Sequence, residues 1–236
     1  MRIVDGVPYS NRRSTLSLLP GAAVGHWLHA NRSRVGGRLL DLGAGNQPLR
    51  PWYADKVERI TAIDVAATGG LDVLGVADHL PFADASFDTV LCTSVLEHVE
   101  DVEAAMAEIV RVLAPGGHLL LSVPFLYPTH EAPWDFWRTT HHGLRSLAER
   151  HGLVVTDLAA QGGPFLLVIH ALVLTLSQGL RALAAALGPL GGLVDNPLVR
   201  GVVAGPQELV RGRVSIRLGP LSKVASLGYL AVARKP

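Results

Sequence analysis

Arg38-Leu39-Leu40-Asp41-Leu42-Gly43-Ala44-Gly45 decides the fold. A short apolar run, broken by one acid, ends in two alternating glycines. Parallel strands are covered on both faces, so they read as near-continuous apolar runs. Glycine reaches positive φ and carries no Cβ, so a turn can close tightly and let a ligand approach its backbone. The stretch reads as a buried parallel strand delivering the chain into a turn against a nucleotide-like ligand.

Outward from this turn, strand and helix patterns alternate. Arg59–Asp64, Thr89–Cys92, His118–Val123 and Leu153–Leu158 read as further strands, with a shorter one over Asp72–Ala77. The clearest helix runs from Asp101, a good N-cap, to Leu113, with Met106, Ile109, Val110 and Leu113 on one face. Pro115-Gly116-Gly117 should stop it. A second helix starts near Thr140, buries Leu144, Leu147 and Ala148, and ends at Gly152. Such alternation predicts an α/β fold with a parallel sheet, whose ligands sit beyond the carboxyl ends of the strands.

Composition narrows the class. The 236 residues suit one domain with an elaboration. Hydrophobic residues make up 49% and charged residues 17%, which allows a large core and argues against disorder. The net charge of +1 and the lack of like-charge blocks give no support to a nucleic-acid surface. Cys92 is the one cysteine, so no internal disulfide and no cysteine metal cluster form, and a cytoplasmic setting fits. Asn11-Arg12-Arg13-Ser14-Thr15-Leu16 has the look of a twin-arginine export signal. Pro20, His26, Trp27 and His29 interrupt that pattern, and a helix packed beside the sheet is expected instead.

The turn alone leaves its ligand open, since nicotinamide dinucleotides and S-adenosylmethionine both use one like it. A dinucleotide fingerprint needs a third glycine where Pro48 stands. Asp64 ends the second strand, where a carboxylate can accept ribose hydroxyls, and Asp78 follows the third, where one can receive an adenine amino group.

With these, the stretches LLDLGAGNQP, ITAIDV, ADHLPFADASFDTVLCTSVLEHV and EIVRVLAPGGHLLLSVP resemble the class I S-adenosylmethionine-dependent methyltransferases of the type 11, small-molecule branch. The likeness covers about residues 38 to 124 in the family's order. It implies a Rossmann-like seven-stranded methyltransferase sheet with helices on both faces, with Tyr229–Arg234 as the last strand. It also implies S-adenosylmethionine as cofactor. Asp41, Gly43, Ala44 and Gly45 would line its methionine end, Asp64 would hold the ribose, and Val65 would lie against the adenine. Asp78 and His79 would flank the adenine, Thr93 would touch the amino acid part, and His98 would face the transferred methyl. For each acid alone, capping or turn formation is the competing reading.

Methyl transfer from a sulfonium is an in-line displacement that mainly needs positioning. A hydroxyl or amine acceptor also benefits from a base, and histidine titrates nearest neutral pH. The segment 124–139, just after the fifth strand, holds His130, Glu131, Asp135 and Arg138 among Tyr127, Trp134, Phe136 and Trp137. Polar groups amid aromatics suit a small-molecule pocket. This loop resembles one in bacterial methyltransferases of surface-glycan and secondary-metabolite clusters. His130 is the expected general base and Asp135 its orienter or a substrate contact. Arg138 is the expected anchor for an acidic or polar acceptor, beside Tyr127, Trp134 and Trp137. The competing reading makes Asp135 and Arg138 an ion pair stapling the loop, with His130 capping a turn.

No metal site is expected. His141 and His142 are adjacent on a helix and should point apart. His170, in apolar sequence, reads as a satisfied buried histidine.

About 65 residues precede the final strand after Leu158's strand ends, far beyond an ordinary connection, so an α-helical insertion is expected there. The expected organisation is residues 1–37 as an N-terminal helical segment, 38–160 as the cofactor-binding core, 161–220 as the apolar insertion and 221–236 as the final strand. The insertion would cap the pocket, form a homodimer contact, or associate peripherally with a membrane. The acceptor would be a small molecule or glycan, most simply methylated on oxygen. A fold relative that binds S-adenosylmethionine without methylating, and an NAD-dependent oxidoreductase, are the other classes. The second is weakened by Pro48 and by the lack of a Tyr-x-x-x-Lys pair.

Overall fold

The computed structural model describes residues 2–4, 7–9, 18–67, 70–186 and 225–236. Strands β1 (Arg2–Val4) and β2 (Val7–Tyr9) form a small antiparallel pair, and helix α1 spans Leu18–Ala30. The main sheet contains β3 (Arg38–Leu42), β4 (Arg59–Asp64), β5 (Val73–Leu74), β6 (Phe87–Thr93), β7 (Leu113–Pro124), β8 (Val154–Gln161) and β9 (Gly228–Arg234). Helices α2 (Val102–Val112), α3 (His141–Arg150) and α4 (Pro164–Ala186) complete the described elements. The strand order is β5-β4-β3-β6-β7-β9-β8. β9 runs antiparallel to β7 and β8, and the other pairings are parallel. This is the expected seven-stranded α/β sheet.

The strands divide their side chains by the period of two. Leu40, Leu42, Val90, Cys92, Leu119, Leu121, Tyr229 and Ala231 face one core with Met106 and Ile109 of α2 and Leu144 and Leu147 of α3. Leu39, Leu91, Leu120, Leu230 and Val232 face the other, against Val24, Trp27 and Leu28 of α1 and Tyr53. The helix expected beside the sheet therefore covers its second face. Asn11–Leu16 lies outside the described residues.

Local chemistry sets the ends of the helices. The Asp101 carboxylate accepts from the Ala104 N–H at 2.9 Å and caps α2. The Thr140 hydroxyl accepts from the Gly143 N–H at 3.1 Å and caps α3. α2 stops at Val112, and Pro115-Gly116-Gly117 lies within β7, not between helix and strand. Leu113 pairs with Phe87 and the regular register begins at His118 opposite Thr89, so the glycines form an irregular start to the strand. A Cβ on Gly117 would sit 2.8 Å from the Ala114 carbonyl and 2.9 Å from that of Asp88. Lys235 Nζ donates to the Val110 and Leu113 carbonyls at 2.7 and 2.6 Å, placing a cation on the exposed acceptors at the end of α2.

The third strand is shorter than Asp72–Ala77. Only Val73–Leu74 pair with β4, because the Asp72 carboxylate itself takes the Ala62 N–H at 2.8 Å and Val76 turns back to bridge His79. The expected insertion begins with α4, and residues 187–224 lie outside the described residues. Among the described residues, no helix is long and apolar enough to cross a membrane.

Candidate active site

The turn after β3 and the end of β4 interlock. The Gly43 and Ala44 N–H groups donate to the Ile63 carbonyl at 2.9 and 3.1 Å. The Gly45 N–H donates to Asp64 Oδ2 at 2.8 Å, and the Ala66 N–H to Asp64 Oδ1 at 3.0 Å. Gly43 and Gly45 have φ of 69° and 51°. A Cβ on Gly43 would run into Cγ2 of Val95, so the missing side chain makes room for the segment after β6. Each Asp64 oxygen keeps a lone pair free of these bonds and can still accept a hydroxyl. Val65 follows, half-buried.

Asp41 is 5% exposed, and the Tyr53 hydroxyl donates to its Oδ2. Burial pushes its carboxyl up to about 6, the Tyr53 bond opposes this, and the neighbouring Asp64 charge adds to it. Tyr53 was not among the sequence candidates, and nothing in its local pattern marks it as a partner of Asp41.

Asp78 and His79 stand exposed on the turn after β5. What holds the chain just beyond them is a guanidinium hub. Arg111 donates to Glu108, Asp84 and the Leu80 and Phe82 carbonyls at 2.7–3.0 Å, while the Leu80 N–H donates to Glu108 at 2.7 Å. The paired Arg111 holds the Glu108 carboxyl down at about 2. Thr93, half-buried, closes β6, and Ser94 then takes φ of 54° with its N–H on the Ser122 carbonyl.

The segment after β7 folds over the segment after β6. The Phe136 N–H donates to the Glu97 carbonyl at 2.8 Å, and the Trp137 indole N–H to the Val99 carbonyl at 2.8 Å. This brings His98 and His130 together, with ring centroids 4.8 Å apart at 77°. The Nε2 atoms of both lie 3.9 Å from Oε1 of Glu97. Glu97 is 1% exposed, neither of its oxygens has a hydrogen-bond partner, and burial pushes its carboxyl up to about 8. Burial, with the neighbouring His98, lowers the His130 imidazole, and Asp135 opposes this. Tyr127 packs edge-on to His130 and stacks on His170 at 5.2 Å.

Asp135 and Arg138 form the staple. Arg138 donates to both Asp135 oxygens at 2.6 and 2.7 Å and to the Tyr127, Pro128 and Trp137 carbonyls. Asp135 also accepts the His130 N–H at 2.8 Å. The guanidinium expected to anchor an acceptor thus spends its donors on the loop itself. Trp137 is exposed and Trp134 half-buried.

An open cleft of about 710 Å³ lies beside this cluster, lined by Leu96, Glu97, Trp137, Thr139, Leu144 and Arg150 among others. Its size is that of a small-molecule site. Of the residues expected to meet an acceptor only Trp137 lines it, and the residues of the glycine turn do not.

Two histidine expectations are corrected. His170 is 1% exposed, yet neither nitrogen has a hydrogen-bond partner. The His141 and His142 rings do not point apart. Their centroids lie 3.9 Å apart, with His141 also against Tyr229, because the ring bodies lean together in the first turn of α3. Glu97, absent from the sequence candidates, is the residue between both site imidazoles.

A parallel sheet in this order with an antiparallel β9, a glycine turn after β3 and an acid closing β4 defines a class I S-adenosylmethionine-dependent methyltransferase fold. Residues 40–121 match the family model described as a methyltransferase domain. A malonyl-[acyl-carrier protein] O-methyltransferase of Serratia marcescens is 35% identical over 101 residues, 38% of this chain and 39% of that protein. The chain spans less than half the length of the first curated relatives it matches. The solved S-adenosylmethionine dependent methyltransferase from Mesorhizobium loti shares the fold, with a TM-score of 0.55 and 19% identity over 92% of this chain and all of that one. The [4+2]-cyclase SpnF shares it too, at 0.59 and 19% over 100% and 99%. S-adenosylmethionine is the cofactor of the class. The residues present fit it: positive-φ glycines form the turn, and beside it lie two buried carboxylates, Asp41 within β3 and Asp64 at the end of β4.

Proposed function

We propose that the protein transfers a methyl group from S-adenosylmethionine to an oxygen of a small molecule or glycan. The observation that carries this reading is that the glycine turn and the His98–His130 pair both follow the carboxyl ends of central strands and meet where Val95 fills the space over Gly43. The cofactor supplies a methyl already activated on a sulfonium. Asp41, Gly43, Ala44 and Gly45 hold its amino acid end, Asp64 accepts the ribose hydroxyls, Val65, Asp78 and His79 flank the adenine, and Thr93 completes the wall.

The acceptor enters by the cleft at Trp137 with Tyr127 and Trp134 nearby. His130 takes its hydroxyl proton as the O–CH₃ bond forms and the S–CH₃ bond breaks. His98 faces the methyl and Asp135 orients His130. The stapled Arg138 acts by holding the loop. The O-methyltransferase relative supports the choice of oxygen. The likeness to a cyclase makes retention of the methyl group the outcome to test against, since fold alone does not fix chemistry.

Incubation with methyl-labelled S-adenosylmethionine and extracts of candidate acceptors should give a labelled product that is stable to amine-specific reagents. Binding of S-adenosylmethionine that is recovered with its methyl intact, and no labelled product, would overturn transfer. His130→Ala should bind S-adenosylhomocysteine normally and lose about 10²-fold or more in turnover. An unchanged rate removes the base role.

The reading extends to α4, where Phe165, Val168, Leu172 and Leu176 are exposed at helical spacing. That stripe supports peripheral contact with a membrane or a second copy. Liposome co-sedimentation and sedimentation equilibrium test the two.

A further inference from the structure

Glu97 is the least explained group in the structure. Its carboxylate is buried with both oxygens unpartnered, and buried polar groups almost always have partners. Facing it are two imidazole nitrogens, and the three ligand atoms of Glu97, His98 and His130 all lie within 4.8 Å of one another. The outward nitrogens of both rings are already engaged. His98 Nδ1 lies 2.5 Å from the Trp134 carbonyl, and an acceptor there puts the proton on Nδ1 and leaves Nε2 bare. His130 Nδ1 lies 3.3 Å from the Pro128 carbonyl and 3.4 Å from Asp135 Oδ2, with Arg138 Nη2 also at 3.4 Å. Two acceptors against one donor again favour the proton on Nδ1. Metal-binding histidines have this arrangement: one nitrogen donates to a carbonyl or carboxylate and the other is free for the ion.

We infer that Glu97, His98 and His130 form a divalent cation site of the zinc class. Two imidazoles and one carboxylate are the ligands of open zinc sites, which leave a fourth position for water or substrate. Imidazoles also select against magnesium and calcium. Ligands sharing one tetrahedral ion lie about 3.4 Å apart. The two 3.9 Å separations need to close by roughly 0.5 Å, and the third, which is at most 4.8 Å, by up to about 1.4 Å, movements open to the partly exposed histidine side chains. Entry is from the histidine side, where the two side chains keep 24% and 29% exposure.

The ion's use rests on the transferase reading, and its binding does not. The acceptor's hydroxyl oxygen would take the fourth position, and its proton would be released to water as the oxygen binds. The resulting alkoxide would attack the methyl. His130 Nε2 would face the ion in the loaded protein, so the acceptor's proton would pass to water there and to His130 in the metal-free protein.

The test is titration of chelator-treated full-length protein with Zn²⁺ and with Co²⁺, followed by calorimetry and visible spectroscopy. One equivalent should bind, with the intense Co²⁺ bands of a tetrahedral site. Glu97→Gln and His130→Asn should each weaken binding at least 100-fold, while His151→Asn, on the far end of α3, should leave it unchanged. X-ray absorption on the wild-type zinc protein should count two imidazoles and keeps the site testable if a variant fails to fold. Absence of stoichiometric binding, octahedral Co²⁺ spectra, or binding indifferent to both ligand variants overturns the site. S-adenosylhomocysteine binding, measured without metal, reports separately on the transferase reading.

Discussion

At the scale of single residues, burial decides what the acids do. Asp41 has a folded value of about 6 against an ordinary 3.8, so the folded protein holds this proton more tightly than the unfolded chain. The group's contribution is therefore complete below pH ~4 and is lost as pH rises through about 6, a change worth about 3 kcal/mol. Asp41→Asn should flatten this slope. Urea melts should show the variant gaining about 3 kcal/mol on wild type between pH 4 and 7.5. Under the proposed function, S-adenosylhomocysteine should bind wild type more tightly as pH rises through about 6, because the ionised carboxylate faces the ligand's ammonium. Arg138 contributes through the loop. Arg138→Leu leaves the buried Asp135 carboxylate without its two strongest donors and should cost about 2 kcal/mol. Calorimetric unfolding measures this, and an unchanged melting temperature would mean the staple holds nothing.

At the scale of elements, the chain between β5 and β6 has little regular structure and is held by one arginine of α2. Arg111→Gln should weaken S-adenosylhomocysteine binding several-fold and loosen residues 78–84, seen as faster amide exchange there with α2 unchanged. Much of the element level was legible in the sequence. Arg38–Leu42 and Arg59–Asp64 match their strands residue for residue, because apolar runs closed by glycine or acid have few alternative conformations. Asp101 and Thr140 cap as read, because capping is local chemistry. What failed was tertiary. β5 is short because a side chain from Asp72 replaces a strand hydrogen bond, and β7 starts early because Phe87 pairs back across an irregularity. The site divided the same way. Turn and strand-end acids were visible as spacing, whereas the burial of Glu97 depends on Phe136 and Trp137, some 40 residues later, folding onto it. An acid set between Leu96 and His98-Val99 was the only local hint.

At the scale of the molecule, β3, β6, β7 and β9 are central, covered on both faces by two cores, while β5 is a two-residue edge. Hydrogen exchange should show the slowest amides at Leu40, Val90, Leu120 and Val232 and the fastest strand amides at Val73 and Leu74. Uniform exchange across the sheet would contradict the layered core. The contact of Gly43 with Val95 has a consequence for engineering. Gly43→Ala should displace the segment bearing His98 as well as the turn, so affinity for cofactor and rate of chemistry should fall together. Val95→Ala in the same chain should recover part of both, leaving only the penalty of alanine at φ of 69°. A turn transplanted from another protein would need its own partner at position 95. The two binding spaces are inherited as one unit and do not behave as interchangeable parts.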